Sequence, residues 1–375
     1  VNVRHNPILA IAGLGLVAGL TLSACGGSNG GAASGSGSAS DQGGASGQTV
    51  SGELNGAGAS SAESAQSAWT QNFAATNPEA QVTYDSIGSG KGVEQFLSGG
   101  VSFAGTDAAL TDEEITTSAD ACQGGTAFDV PVYISPIAIV YHLEGVDDLQ
   151  LSPETTAKIF SGKITSWDDP AITKENPDAD LPSTKITPVH RSDGSGTTEN
   201  FTDYLHANAP KAWPDDPAEE WPVDGGQSGD GTSGLVSVVE GGDGTIGYAD
   251  ASKAGNLGIA KIKVGDEYVE YSPEGAAKAV EASPREKGRE DGDVVIKLDR
   301  TLDDPSTYPL VLVSYLAACD TYEDQATADL VKAYGTYVAS EDGQKAAAQV
   351  AGNAPLSKSL SEDATASLSK ISAKG

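Results

Sequence analysis

The sequence predicts an α/β protein of two domains, and three observations carry that expectation. Short runs rich in β-branched and aromatic residues alternate with stretches at helical spacing. A strand, a Gly/Ser turn and a helix start recur in that order three times. The length of 375 residues suits two domains of ordinary size.

The N-terminal segment stands apart from that body. "VNVRHN" is a short region carrying Arg4, "PILAIAGLGLVAGLTL" is an uncharged apolar run, and "LSAC" closes it with small residues leading into Cys25. This order predicts a secretory signal of the lipoprotein type over residues 1–24 rather than a transmembrane helix. The Leu-Ser-Ala-Cys ending resembles a lipobox, so Cys25 is expected to take a lipid and become the first mature residue. Residues 25–50 follow as Gly, Ser and Ala in nearly every position, a composition that builds no core and predicts a flexible tether. No later apolar run is long enough to span a bilayer.

The body then opens with "SGELNGAG", a short strand entering a glycine turn, followed by "ASSAESAQSAWTQNF" with Ala65, Trp69 and Phe73 at helical spacing. "AQVTYDSI" has strand character, and "GSGKGVEQFLSGG" turns into a helix through Val93, Phe96 and Leu97. "KITPVH" is the third strand of this kind, and "RSDGSGTTENFTDYLH" turns into a helix through Phe201, Tyr204 and Leu205. "GGQSGDGTSG" at 225–234 either opens a further helix or forms a surface loop. With aromatics at 6% and Ala and Gly abundant, the core is expected to be built from small aliphatics.

A formal charge of −31 argues against a nucleic-acid partner. Cys122 and Cys319 remain after Cys25, and an even pair in an exported chain suggests a disulfide. His5, His142, His190 and His206 show no ligand spacing with the cysteines, so neither metal nor cofactor is expected. Enzyme motifs fail on inspection. Around Ser195 the positions that a nucleophile elbow fills with glycine hold Asp193 and Thr197. Lys91 and Lys163 are followed by Gly92 and Ile164, not by Ser or Thr as a P-loop requires. "GAGASS" lacks the third glycine of the dinucleotide fingerprint. No paired-carboxylate or His–Ser constellation stands out, and no catalytic residue is assigned.

The repeated turns have a shared physical consequence. The first N–H groups of a helix lack intrahelical partners and carry partial positive charge. Such a terminus holds an anion without a lysine, glycines admit close backbone approach, and Ser or Thr hydroxyls add donors. Each turn taken alone is better read as ordinary Ser capping. Three of them converging would enclose a small tetrahedral oxyanion.

"GAGAS", "YDSIGSGKGVEQF", "FAGTDAALTDEE", "IFSGKITSWDDPAI", "HRSDGSGTT" and "GTIGYAD" stand in one order along the chain. In order and spacing they resemble the phosphate-binding lipoproteins that serve bacterial high-affinity ABC phosphate transporters, from about Gly52 to the C-terminal helices. The resemblance implies a type II periplasmic-binding-protein clamshell, with residues 50–133 plus 309–375 as one lobe, 134–308 as the other, and crossovers near "VPVY" and "STYPL". Two neighbouring crossovers would bring Cys122 and Cys319 together. The implied phosphate-binding residues are Ser60, the Ser61 backbone, Ser89, Asp107, Arg191, Ser195, Gly196 and Thr197, with Asp193 pairing the arginine. For Asp107 the alternative is a cap on the helix opening at "TDEE", and for Asp193 a turn residue before Gly194. The family often has Thr-Phe where this chain has Ser60-Ser61, so a hydroxyl is kept and an aromatic wall is lost.

The resemblance implies a non-enzymatic, monomeric, lipid-anchored receptor at the outer face of the membrane that delivers inorganic phosphate to an ABC permease. A receptor for sulfate or molybdate and a phosphatase-like serine hydrolase are the competing readings. A pocket carboxylate at Asp107 would suit a protonated anion and speaks for phosphate over sulfate.

Overall fold

The computed structural model describes residues 50–375; the expected leader, Cys25 and tether residues 25–49 lie outside the described residues. The main sheet has nine strands. In chain order these are β1 (Gly52–Gly58), β2 (Ala80–Asp85), β3 (Phe103–Thr106), β4 (Ala127–His142), β5 (Thr187–Arg191), β6 (Gln227–Gly229), β7 (Thr245–Asp250), β8 (Gly258–Ile259) and β9 (Val311–Cys319). They lie side by side as β2-β1-β3-β9-β4-β7-β5-β6, with β8 pairing on β4.

Strand β4 unites the sheet. It is 16 residues long and buried almost throughout, in keeping with a largely apolar composition that also buries Asp129 and Ser135. Ala127–Pro136 pair antiparallel with β9, and Ile137–His142 pair antiparallel with β7. One strand therefore carries the chain from the first half of the sheet, where β1, β2 and β3 run parallel, to the second, where β5, β6 and β7 run parallel. Strand β9 returns beside it and joins β3.

Helices α1 (Glu63–Thr76), α2 (Ser89–Leu97), α3 (Gly196–Asn208) and α4 (Gly231–Glu240) follow β1, β2, β5 and β6. The apolar spacing read from the sequence is largely the buried face: Ala65, Trp69 and Phe73 in α1, Val93 and Phe96 in α2, Phe201, Tyr204 and Leu205 in α3, while Leu97 of α2 is only half-buried. Segment 225–234 does open a helix, α4, through Gly231 at φ +64°.

The core is built mainly from aliphatic side chains, Ala and Val foremost, as the composition predicts, with a smaller set of large aromatics set among them. The twelve largest fully buried side chains are all aromatic, Trp69, Trp167, Trp213 and Tyr133 among them. Aromatics are few, yet they are spent inside, where each buries far more area than Ala or Val. Trp69 Nε1 donates to the Gly343 carbonyl at 2.7 Å, tying α1 to the C-terminal helix Glu341–Ala351.

Cys122 and Cys319 are joined by a disulfide, with Cα atoms 5.1 Å apart and a sequence separation of 197. Cys319 ends β9 opposite Ala127, which begins β4. The bridge thus closes the end of the β4–β9 ladder.

Candidate functional site

The carboxyl ends of parallel strands are where α/β sheets hold ligands, because the following helices start there. Here two sets of such ends face one another. From one side come the turn Ser60–Ser61 after β1, the start of α2 after β2, and Asp107 after β3. From the other come Arg191 to Gly196 between β5 and α3, and Gly231–Thr232 at the start of α4.

Asp107 is buried at the centre. Its Oδ1 accepts from the Ser61 hydroxyl at 2.8 Å and from the Ser314 hydroxyl, and its Oδ2 accepts from the Thr197 hydroxyl at 2.9 Å. Its own N–H donates to Ser89 Oγ at 3.2 Å. Burial raises the Asp107 pKa above the ordinary carboxylate value, while the Ser314, Ser61 and Thr197 hydroxyls and the Arg191 charge oppose that rise. Asp107 does not cap the following helix. Thr111 does, in a capping box with Glu114.

Arg191 ends β5 and is 3% exposed. Its Nε donates to Asp193 Oδ1 at 2.8 Å and its Nη2 to Oδ2, a bidentate pair. The Gly231 N–H donates to the same Oδ1 at 3.0 Å. Burial alone would raise the Asp193 pKa; the Arg191 pair and the backbone donors outweigh it and hold the carboxyl below its ordinary value. The pair occupies Nε and Nη2, so Nη1 is the edge of Arg191 left for a ligand.

The hydroxyls divide by role. Ser195 Oγ caps α3 by accepting from the Thr198 N–H at 3.2 Å, and its O–H remains able to donate outward. Ser89 is buried in the first turn of α2, after Gly88 at φ +94°. Ser60 Oγ accepts from the Thr232 N–H at 3.0 Å and lies 3.0 Å from Thr232 Oγ1. Thr197, whose hydroxyl was expected to face the anion, turns it to Asp107 instead; the Ser61 hydroxyl, of which only the backbone was expected at the anion, does the same.

The two sides meet closely, and glycines permit it. A Cβ on Gly196 would stand 2.7 Å from Asp107 Cβ and 2.8 Å from the Ala108 nitrogen. A Cβ on Gly88 would stand 2.5 Å from Asp193 Oδ2. Both contacts run between the β1–β3 side and the β5–β6 side.

All nine residues proposed from the sequence therefore lie around one seam. Thr232, Ser314, Asn200 and Tyr248 were not read from it. Thr232 sits in the Gly-rich 225–234 stretch whose role was left open. Ser314 is the one serine in the apolar run "PLVLVSYLAAC", which was a usable signal. Tyr248 bonds Thr198 Oγ1 at 2.8 Å and accepts from the Arg191 N–H at 3.3 Å, bracing the α3 start. Lys91 is largely exposed, 3.8 Å from Asp230. Lys163 Nζ donates to the Ala212 carbonyl at 2.8 Å. Among the described residues no group of three or more His, Cys, Asp or Glu could hold a metal ion. Among them, too, no helix is long and apolar enough to cross a membrane.

A family model described as the PBP superfamily domain matches residues 43–342. The chain is 34% identical over 361 residues to phosphate-binding protein PstS 2 of Mycobacterium tuberculosis, covering 94% of this chain and 95% of that one. It is 32% identical over 330 residues to phosphate-binding protein PstS 3 of Mycobacterium leprae, covering 86% and 88%. Among solved structures, the high-affinity periplasmic phosphate-binding protein PfluDING bound with phosphate aligns at a TM-score of 0.69 and 23% identity, over 84% of this chain and 93% of that one. A soluble ancestral variant of the human phosphate binding protein aligns at 0.69 and 22%, with the same coverage. At such identities these two likenesses speak for the fold.

Proposed function

Because the chain belongs to the PBP superfamily and, within it, to the PstS phosphate-binding proteins, we propose that the seam around Asp107 and Arg191 captures one inorganic phosphate for delivery to an ABC importer. The observation that carries this is the pairing of a buried carboxylate, Asp107, with a buried guanidinium, Arg191, among helix starts. An anion with no proton would meet Asp107 acceptor to acceptor. Phosphate near neutral pH keeps at least one proton and can donate it. Its other oxygens then accept from Arg191 Nη1, the hydroxyls of Ser60, Ser89 and Ser195, and the first-turn N–H groups at Ser61, Gly196 and Thr197. The negative surface is no obstacle, since charge beyond about 10 Å is screened at ordinary salt.

In this reading residues 50–133 plus 309–375 form one lobe and 134–308 the other, with β4 and the chain entering β9 as the crossovers. Cys25 carries the lipid, residues 26–50 are the tether, and the protein works as a monomer outside the cytoplasm, handing phosphate to a membrane permease. It performs no catalysis.

Calorimetry on the mature chain tests the reading against phosphate, arsenate and sulfate. One phosphate per chain, with arsenate competing and sulfate not, is the expected result. Absence of phosphate binding, or preference for sulfate, overturns it. A Cys25→Ser form should leave the membrane fraction; its retention there would remove the anchor from the proposal.

A further inference from the structure

Asp107 is bound on more sides than a ligand-contacting acid needs to be. An ionised carboxylate accepts at about four lone-pair sites and donates at none. Ser61 and Ser314 take both sites on Oδ1, and Thr197 takes one on Oδ2. One site remains, on Oδ2. All three hydroxyl protons are directed at the carboxylate, so these groups are acceptors toward everything else.

Ser314 comes from the return strand, 207 residues from Asp107. The β4–β9 register shifts between Ser314 and Tyr315, whose partners are Tyr133 and Pro131, leaving Val132 as the extra residue. Such a bulge re-aims a side chain. Ser314 is buried in an otherwise apolar strand, where a hydroxyl is costly unless bonded. Its bond to Asp107 is the reason it can be there.

We propose that Ser314, acting with Ser61 and Thr197, is a specificity-determining positioning residue: the three hydroxyls hold Asp107 as an obligate acceptor and present a single Oδ2 lone pair to the anion. The inference rests on the phosphate reading of the site. The charged and titratable groups facing Asp107 are Arg191, Tyr84, Glu219 and Asp250. Arg191 favours the ionised carboxylate; Glu219 and Asp250 as anions disfavour it, as does burial. The three hydroxyl donors oppose the effect of burial and favour the ionised form. A protonated Asp107 would donate to any oxyanion, sulfate included, and the discrimination would be lost.

Equilibrium dialysis of labelled phosphate against sulfate, from pH 5 to 8, tests this on the mature protein. Wild type is measured first, and its failure to bind phosphate overturns the proposed function together with this inference. With binding established, Ser314→Ala is expected to lower the preference for phosphate over sulfate about tenfold, the worth of one hydrogen bond to a charged group. Sulfate should also begin to compete at a higher pH than in wild type. Ser314→Thr keeps the hydroxyl and should restore both. Ser61→Ala removes a donor from the same oxygen and is read in the same way, including where Ser314→Ala does not fold. Phosphate binding with an unchanged sulfate ratio and unchanged pH onset in these alanine variants overturns the inference alone.

Discussion

The side-chain amide of Asn200 donates to the Asp107 carbonyl at 2.7 Å while its second hydrogen goes to the Gly196 carbonyl at 2.8 Å. A residue of α3 is thereby bonded to the loop after β3, across the seam and outside the proposed anion contacts. Arg300 holds Asn200 in that pose. Its Nη2 donates to Asn200 Oδ1, its Nη1 to the Pro309 and Val311 carbonyls, and its Nε to Asp203 at 2.8 Å.

This geometry makes Asn200 a closing contact that needs no ligand. Protein-supplied bonds of the closed form raise the fraction of chains ready to bind, and apparent affinity rises with that fraction. Asn200→Ala removes the one neutral hydrogen bond that this side chain makes across the seam, worth about 0.5–1.5 kcal/mol. Phosphate affinity is expected to fall by roughly 2- to 13-fold, with a larger radius of gyration for the ligand-free protein in X-ray scattering. Wild-type affinity and radius together would show that the seam is held elsewhere.

Gly196 gives a sharper steric test. Alanine there would place a methyl group 2.7 Å from Asp107 Cβ and 2.8 Å from a backbone nitrogen, neither of which is the far end of a flexible side chain. The backbone at Gly196 is helical, so alanine costs nothing locally and even favours the helix. Gly196→Ala should therefore hold the seam apart, overpacking costing the closely met form about 1–3 kcal/mol, and bind phosphate roughly 5- to 150-fold more weakly. Full binding by this variant would mean that the sides need not approach so closely.

The contrast between Asn200 and its neighbours shows what the sequence could and could not convey. Arg191, Asp193, Ser195, Gly196 and Thr197 are local, lying in one strand–turn–helix unit, and their chemistry is legible in seven residues. Ser60, Ser89 and Asp107 follow because each lies in the turn or helix start just after a strand of the same parallel set. What stayed hidden was the direction of each hydroxyl. Ser61 and Thr197 face Asp107 because the two sides of the seam meet, and no local pattern encodes that. Ser314 and Thr232 reach the site from 207 and 172 residues away from their partners, distances over which periodicity carries no information. Composition anticipated the aliphatic core but not where the few large aromatics sit in it, because it counts residues without placing them.

Glu219 predicts a pH dependence. Its Oε2 lies against Gly90, where a Cβ would approach it to 2.6 Å, and its carbonyl accepts from the Ser195 N–H at 3.1 Å. Burial first, then the charges of Glu199, Glu114, Asp107 and Glu220, push its carboxyl up to about 8. An unfolded Glu titrates near 4.3. A carboxyl raised on folding favours the folded form when protonated, so its contribution is complete below about pH 4.3 and is lost as pH rises to about 8. Glu219→Gln fixes a neutral side chain. Melting temperatures of the two proteins should agree near pH 5 and separate toward pH 8–9, the variant being higher. Parallel curves would show that Glu219 titrates as an ordinary surface acid.

The disulfide between Cys122 and Cys319 closes a loop of 197 residues. Linking so distant a pair restricts the unfolded chain strongly, worth about 2–4 kcal/mol in typical cases. The Cys122→Ser/Cys319→Ser double variant should unfold at lower denaturant while binding phosphate with wild-type affinity, since neither sulfur touches the seam. Thiol titration of the unfolded, unreduced mature protein should find no free thiol from this pair. Two reactive thiols would exclude the bond.

Arg191 and Asp193 are each nearly fully buried, with side-chain exposures of 2% and 1%. Removing one member of such a pair leaves an uncompensated charge, commonly costing about 3–5 kcal/mol. The two halves of the pair should nevertheless behave oppositely toward phosphate. Arg191→Ala leaves the Asp193 carboxylate beside an incoming anion and removes Nη1, so binding should weaken by two orders of magnitude or more, chiefly through faster release. Asp193→Asn leaves the guanidinium unneutralised. The ligand-free protein should then melt lower, and phosphate should restore more of its stability than in wild type, because the anion supplies the missing charge. The acid limb checks the same pair. Asp193 has a depressed pKa in the folded protein, so its contribution is present above the unfolded value near 3.9 and is lost as pH falls through the depressed one. Wild-type stability should therefore drop below about pH 4 more steeply than that of Asp193→Asn. Equal acid limbs, with equal phosphate-induced shifts in Tm, would mean that Arg191 is held by something other than Asp193.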